Sequence, residues 1–123
     1  YNNMNYYILT IRKSRVKEYT TTKELYHVLR MIDEPLHIWD TGIHIHGRYN
    51  QLHLHCYVSM SRKKPRYFRY TGYYIHWEQV RDGEYEEAHE RIWHYIHSDD
   101  HGSAFKHKQN KVENFSRYHY MFT

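Results

Sequence analysis

Tyr6 to Arg12 reads Tyr-Tyr-Ile-Leu-Thr-Ile-Arg, an aromatic and β-branched run that predicts a strand, with a basic loop after it. Thr21 and Glu24 stand at capping-box spacing ahead of Leu25, Val28, Leu29 and Ile32, whose i, i+3, i+4, i+7 recurrence predicts an amphipathic helix. Asp33, Glu34 and Pro35 end it. Leu36 to His46 predicts a second strand, irregular around Asp40, Thr41 and Gly42, and Gly47 to Gln51 the turn into a third. That third strand, Leu52 to Met60, alternates most cleanly. Leu52, Leu54, Cys56, Val58 and Met60 point one way, and His53, His55, Tyr57 and Ser59 point the other. Tyr73 to Val80 predicts a fourth strand closed by a turn at Asp82 and Gly83. Glu84 to about Ser98 follows as a helix with acids in its first turn and Ala88, Ile92, Tyr95 and Ile96 on one face. Past Asp100, Val112, Phe115, His119 and Phe122 suggest a last short helix between loop-like flanks.

The predicted order is β, α, β, β, β, α, which implies an α+β fold: a single antiparallel sheet with flanking helices. At 123 residues and 40% hydrophobic, residues 1–123 form one domain around one core. With 15 Tyr, 13 His, two Pro and five Gly the composition is that of a folding chain, not a disordered one. A start at Tyr1 in place of Met reads as a piece of a longer protein. No apolar run approaches the roughly 20 residues of a membrane helix, and the polar beginning lacks the apolar centre of a signal peptide. With Cys56 as the single cysteine, a reducing, intracellular compartment is expected, and the chain is read as not secreted.

Charge adds a candidate partner. Eighteen Lys and Arg stand against 14 Asp and Glu, and the excess is clustered. Arg12, Lys13, Arg15 and Lys17 form one group, Arg62, Lys63, Lys64, Arg66 and Arg69 a second, and Lys106, Lys108, Lys111 and Arg117 a looser third. Basic loops interleaved with Tyr and Phe suit single-stranded nucleic acid, since cations follow phosphates while aromatic faces stack on unpaired bases. Solvated loops that keep the protein soluble are the equally open reading.

His44 with His46, and His53 with His55, form two i, i+2 pairs on adjacent predicted strands, so each pair shares a face. A hairpin with His46 or His44 opposite His53 puts all four on one side; a register shifted by one residue separates the pairs. Four converging neutral imidazoles suit a divalent first-row metal such as Mn²⁺, Zn²⁺ or Co²⁺. The alternative is a set of polar-face or core histidines. Cys56, on the apolar side of its strand, reads as a buried small hydrophobe, Trp39, Trp77 and Trp93 as core, and His94 and His97 as exposed helix residues. No GxxxxGK[ST] pattern occurs, so no P-loop helicase lies within these residues.

Leu52 to Val58, Leu-His-Leu-His-Cys-Tyr-Val, resembles the His-hydrophobe-His motif of the HUH endonucleases: replication initiators, relaxases and related transposases. Tyr7 to Lys13 resembles their first initiator motif, and Ile92 to Asp100 their tyrosine motif on a late helix. The three motifs stand in the family's order and span about residues 6 to 100. The resemblance implies the family's antiparallel sheet with flanking helices. It implies nicking and joining of single-stranded DNA at a replication origin, in host cytoplasm or nucleus, alongside a host or fused helicase and polymerase. Tyr95 is then the nucleophile, and His53, His55, and His44 or His46 hold Mn²⁺ or Mg²⁺, with Arg12, Lys13, Arg62, Lys63, Lys64 and Arg66 on the DNA.

Two positions depart from the family pattern. Many viral initiators carry Lys three residues after the nucleophile, where this chain has Ser98, so that role is vacant or falls to Lys106 or Lys108. The family's third ligand is often a Glu on the strand before the histidine pair, where this chain has His44 and His46; all-histidine sites of relaxases and some plasmid initiators match that. The bland alternative for Tyr95 is a core or half-buried residue beside Ile92 and Ile96, with Tyr118 and Tyr120 as fallback nucleophiles. Rival functions are a single-tyrosine transposase of the same fold, a non-catalytic RRM-like module stacking nucleic-acid bases, and a protein whose histidines hold Zn²⁺ for stability alone.

Overall fold

Among the residues described by the computed structural model (4–15, 17–45, 51–63, 65–66 and 68–97), the elements follow the predicted order. They are β1 (Asn5–Lys13), α1 (Thr22–Met31), β2 (His37–His44), β3 (His53–Met60), β4 (Tyr73–Val80) and α2 (Glu86–His97). Thr21 caps α1 as its spacing predicts, its hydroxyl accepting from the Glu24 N–H at 3.1 Å. The second helix begins two residues later than the pattern suggests, because the Tyr85 N–H turns back to the Asp82 carbonyl at 3.1 Å. His46, Lys64, Ser98 and everything beyond, including the suggested last helix, Lys106, Lys108, Tyr118 and Tyr120, lie outside the described residues. No helix among the described residues is long and apolar enough to cross a membrane.

The four strands form one antiparallel sheet in the order β2-β3-β1-β4, an α+β arrangement with one helix on each face. Alternation then sorts every strand side chain. Leu9 and Ile11 of β1 lie opposite Cys56 and Leu54 of β3, and these, with Val58 and Met60, bury against Leu25, Val28 and Leu29 of α1. Cys56 is buried there, and burial pushes its thiol well up, as suits a small hydrophobe. The other face carries a second cluster, Tyr6, Tyr57, Ile92, Trp93 and Ile96, with Trp39 half-buried beside it and Trp77 half-buried against the first, so a single sheet with a helix on each face holds two clusters where one core is expected.

A bulge decides what reaches that second face. Ile38 pairs with Val58, but Asp40 pairs with Tyr57, so Trp39 is one extra residue in β2. Without it, continuing the Ile38 register would set His44 opposite Leu52 and point it to the α1 side. With it, His44 lies opposite His53. Trp39 is itself used, its indole Nε1 donating to Ser59 Oγ at 2.9 Å.

Gly42 brings α2 down onto this face. A Cβ there would stand 2.4 Å from the Ile96 carbonyl oxygen and 2.7 Å from its side chain. Backbone cannot yield as a flexible side chain can. Gly42→Ala should therefore lower stability by about 1–3 kcal/mol and displace the end of α2. A thermal melt checks this, and an unchanged midpoint would show that the helix moves off without cost.

Candidate active site

The strip of β3 that begins with His53 and His55 is not an open polar face. Helix α2 lies over β2 and β3, leaving His55 only 4% exposed and Tyr57 fully buried. His44, His53 and His55 cluster beneath it, with ring centres 5.6 Å apart for His44 and His53, and 4.9 Å for each with His55. Tyr95, half-buried on α2, sets its ring 5.3 Å from that of His55. Burial, and secondarily the charge of Glu78, holds the Tyr95 hydroxyl above its ordinary range. Two other tyrosines are worse placed. Tyr57 is buried and its hydroxyl is pushed far up, while Tyr85 lies exposed before the start of α2, about 15 Å of helix away from Tyr95.

Hydrogen bonds fix which imidazole nitrogen is available. His53 Nδ1 donates to the Gln51 carbonyl at 2.7 Å, leaving its lone pair on Nε2. His55 Nδ1 meets Thr10 Oγ1 at 3.0 Å, and Thr10 is opposite His55 in the β1 to β3 register. Carbonyl and hydroxyl partners of this kind orient metal-ligating histidines. His44 donates from Nε2 to the Ile96 carbonyl, so its lone pair lies on Nδ1.

This donor set suits a divalent cation in its chemistry. Imidazoles sharing one ion at about 2.1 Å place their ring centres roughly 5 Å apart. Their nitrogens are not already aimed at one point: among the described residues, no three His, Cys, Asp or Glu form a ready metal-binding group. With those hydrogen bonds in place, His53 would offer an ion its Nε2 and His44 its Nδ1, with His55 beside them.

The helix that carries Tyr95 is also tied down by a carboxylate. Asp40 is fully buried, and His97 Nε2 bridges its two oxygens at 2.8 and 2.7 Å, while the Thr41 N–H donates to Oδ1. Trp93 packs on the His97 ring at 4.8 Å between centres. The expectation of exposed helix histidines is thus corrected: His94 is 3% exposed and His97 is held on Asp40, because α2 turns its His-bearing face onto β2. Burial outweighs the hydrogen bonds and charge of His97 and holds the Asp40 carboxyl above its ordinary range.

A carboxyl raised in the folded state adds stability that is fully present below its unfolded pKa and is lost as pH rises through the folded one. The melting temperature of the wild type minus that of Asp40→Asn should therefore rise as pH is lowered from about 7 to about 4. A difference that falls over this window would mean the His97 pair outweighs burial.

The basic residues divide. Arg12 lies opposite His53, on the same face, with its guanidinium 4.5 Å from the centre of the exposed Tyr74 ring. Lys13 follows at the same end of the sheet, over Tyr73 and 4.0 Å from Glu18. The loop that carries Arg62, Lys63 and Arg66 leaves the opposite end of β3, roughly 23 Å from His53, and turns to the α1 side. There Tyr7 donates to the Lys63 carbonyl, Arg62 pairs with Glu34 at 3.1 Å, and the Arg66 N–H donates to Glu34 at 3.3 Å. The structure therefore brings Arg12 to the histidines and keeps this loop away from them.

Nothing local in the sequence points to a role for Thr10, Asp40 or Gln51 at the site, though each holds one of its residues. Only the parity of β1 against β3 could have pointed to Thr10, and that needs the long-range register. Comparison of the chain with family models, with curated proteins and with solved structures finds no match.

Proposed function

We propose that this chain is a metal-dependent, site-specific endonuclease and strand-transferase for single-stranded DNA, the origin-nicking domain of a rolling-circle replication initiator, working through Tyr95. The observation that carries the reading is the meeting of Tyr95, on α2, with a cluster of three histidines gathered by β2 and β3. These are the parts that the resemblance to HUH endonucleases calls for. The Tyr95 hydroxyl oxygen attacks the phosphorus, its bond to phosphorus forms, the bond to the 3′ oxygen breaks, and the proton lost by the tyrosine is matched by the one the departing 3′ oxygen takes up. The leaving strand ends in a 3′-hydroxyl that a polymerase extends, and the other strand stays linked to Tyr95 by its 5′-phosphate. Attack by a 3′-hydroxyl on that link reverses the step, so joining needs no ATP.

A divalent cation, Mn²⁺ or Mg²⁺ with Zn²⁺ or Co²⁺ as substitutes, supplies charge stabilisation at the phosphate when bound. His53, His55 and His44 would hold and orient it. Ordinary tyrosine hydroxyls titrate near 10, and that of Tyr95 is raised further, so positive charge beside the phosphate is what this site needs. Arg12 and the ring of Tyr74, at the edge of the cluster, follow the strand by charge and stacking.

The open strip of sheet carrying Arg12, Tyr74 and His76 favours one second reading, a binding module without catalysis. The two separate cleanly. With a random single-stranded oligonucleotide pool and Mn²⁺, the nuclease gives products with extendable 3′ ends and blocked 5′ ends, stops in EDTA, and spares blunt duplex. The binding module leaves every oligonucleotide whole and binds it equally well in EDTA.

A further inference from the structure

Helix α2 lies over β2 and β3 and on this face reaches only the Tyr6 and Val80 ends of β1 and β4, so a wedge remains between the helix and β4. It is a cleft of about 310 Å³ with Ile8, Val80 and Ile92 as apolar lining, Tyr95 on its helix wall and Glu78 on its strand wall. Glu78 lies opposite Ile8, and Ile8 opposite Tyr57, which puts its side chain on the α2 face. The upward push of its charge on the Tyr95 hydroxyl reflects the same proximity. At the rim, Arg91 is held by Asp82 at 2.9 and 3.0 Å, with Arg81 beside it.

Such a volume is at the small end of ligand sites, room for one flat ring and its sugar. Its walls suit that shape: aliphatic and aromatic side chains for the faces of a ring, a carboxylate for a donor on its edge. We propose that this cleft seats one unpaired nucleobase, that of a nucleotide flanking the phosphate attacked by Tyr95, and that Glu78 selects bases carrying an exocyclic amino group. The position relative to the phosphate rests on the nuclease reading, since Tyr95 borders both the cleft and His55. The base selection rests on the cleft alone.

A carboxylate only accepts hydrogen bonds. Cytosine offers it the N4 amino group, whereas uracil and thymine present a carbonyl oxygen there, which a carboxylate repels. Glutamine at this position both donates and accepts, and so loses the distinction.

The test is binding in EDTA, where no strand is cut, with fluorescein-labelled hexamers of deoxycytidine, deoxyuridine and thymidine. Cytosine and uracil differ at the position Glu78 reads, and thymine controls for the methyl group. The wild type should bind the cytidine hexamer about tenfold more tightly than the other two. Glu78→Gln, a change at an exposed strand position, should bring the three within about threefold of one another. Equal binding by the wild type, a preference unchanged in Glu78→Gln, or no binding of any hexamer overturns the proposal. None of these results bears on whether Tyr95 forms a covalent link, which is read separately, so either idea can fail without the other.

Discussion

Tyr95→Phe should abolish nicking and joining together, a loss on the order of a thousandfold or more, since both reactions pass through one oxygen. The ring stays in place, packed near His55 and on the second core, so the fold should survive. Loss of a single hydroxyl changes stability by on the order of 1 kcal/mol. Binding of Mn²⁺ and of single-stranded DNA should be close to wild type, because neither uses the hydroxyl in this mechanism. Cleavage gels and calorimetry on the same preparation separate the two effects. Activity near that of the wild type would make Tyr95 a structural residue.

Loss of a histidine should act on the metal first. His53→Ala should weaken Mn²⁺ binding by more than the roughly 10–100-fold that losing an outer-shell partner costs, and cleavage should fall with it. The strand end holds His53 half-exposed, so the fold should tolerate alanine there. His55 differs. On the alternation alone it belongs to a solvated face, but α2 buries it against Thr10, and truncation to alanine would leave a hole in the second core. His55→Gln keeps the volume and a polar contact to Thr10, and is the variant to measure. Calorimetric Mn²⁺ affinity unchanged in both variants would sink the histidine site.

Much of this fold is written in local signals. The Thr21 cap, the stripe of Leu25, Val28 and Leu29, and the alternation of Leu54, Cys56 and Val58 each report a periodicity that the backbone alone imposes, and each appears as expected. Tyr73–Val80 appears residue for residue. What escapes is what depends on two distant segments at once. Whether His44 joins His53 and His55 turns on one extra residue at Trp39, and the irregularity expected near Asp40 does not say which side it favours. Sheet order is equally silent in the sequence: β1 between β3 and β4 is what sets Thr10 on His55 and Ile8 under the cleft. His97 looked like a solvent-facing helix residue because its partner, Asp40, is 57 positions away in the chain.

On the proposed function, Tyr95 bonds covalently to DNA. Incubation of the protein with a single-stranded oligonucleotide pool and Mn²⁺, followed by denaturation, proteolysis and mass spectrometry of the peptides, tests it directly. A nucleotide 5′-phosphate is expected on Tyr95, formed with Mn²⁺, absent in EDTA, and absent in Tyr95→Phe. A nucleotide on Tyr85, Tyr118 or Tyr120 would move the nucleophile, and no adduct on any tyrosine under conditions that cut DNA would contradict the account.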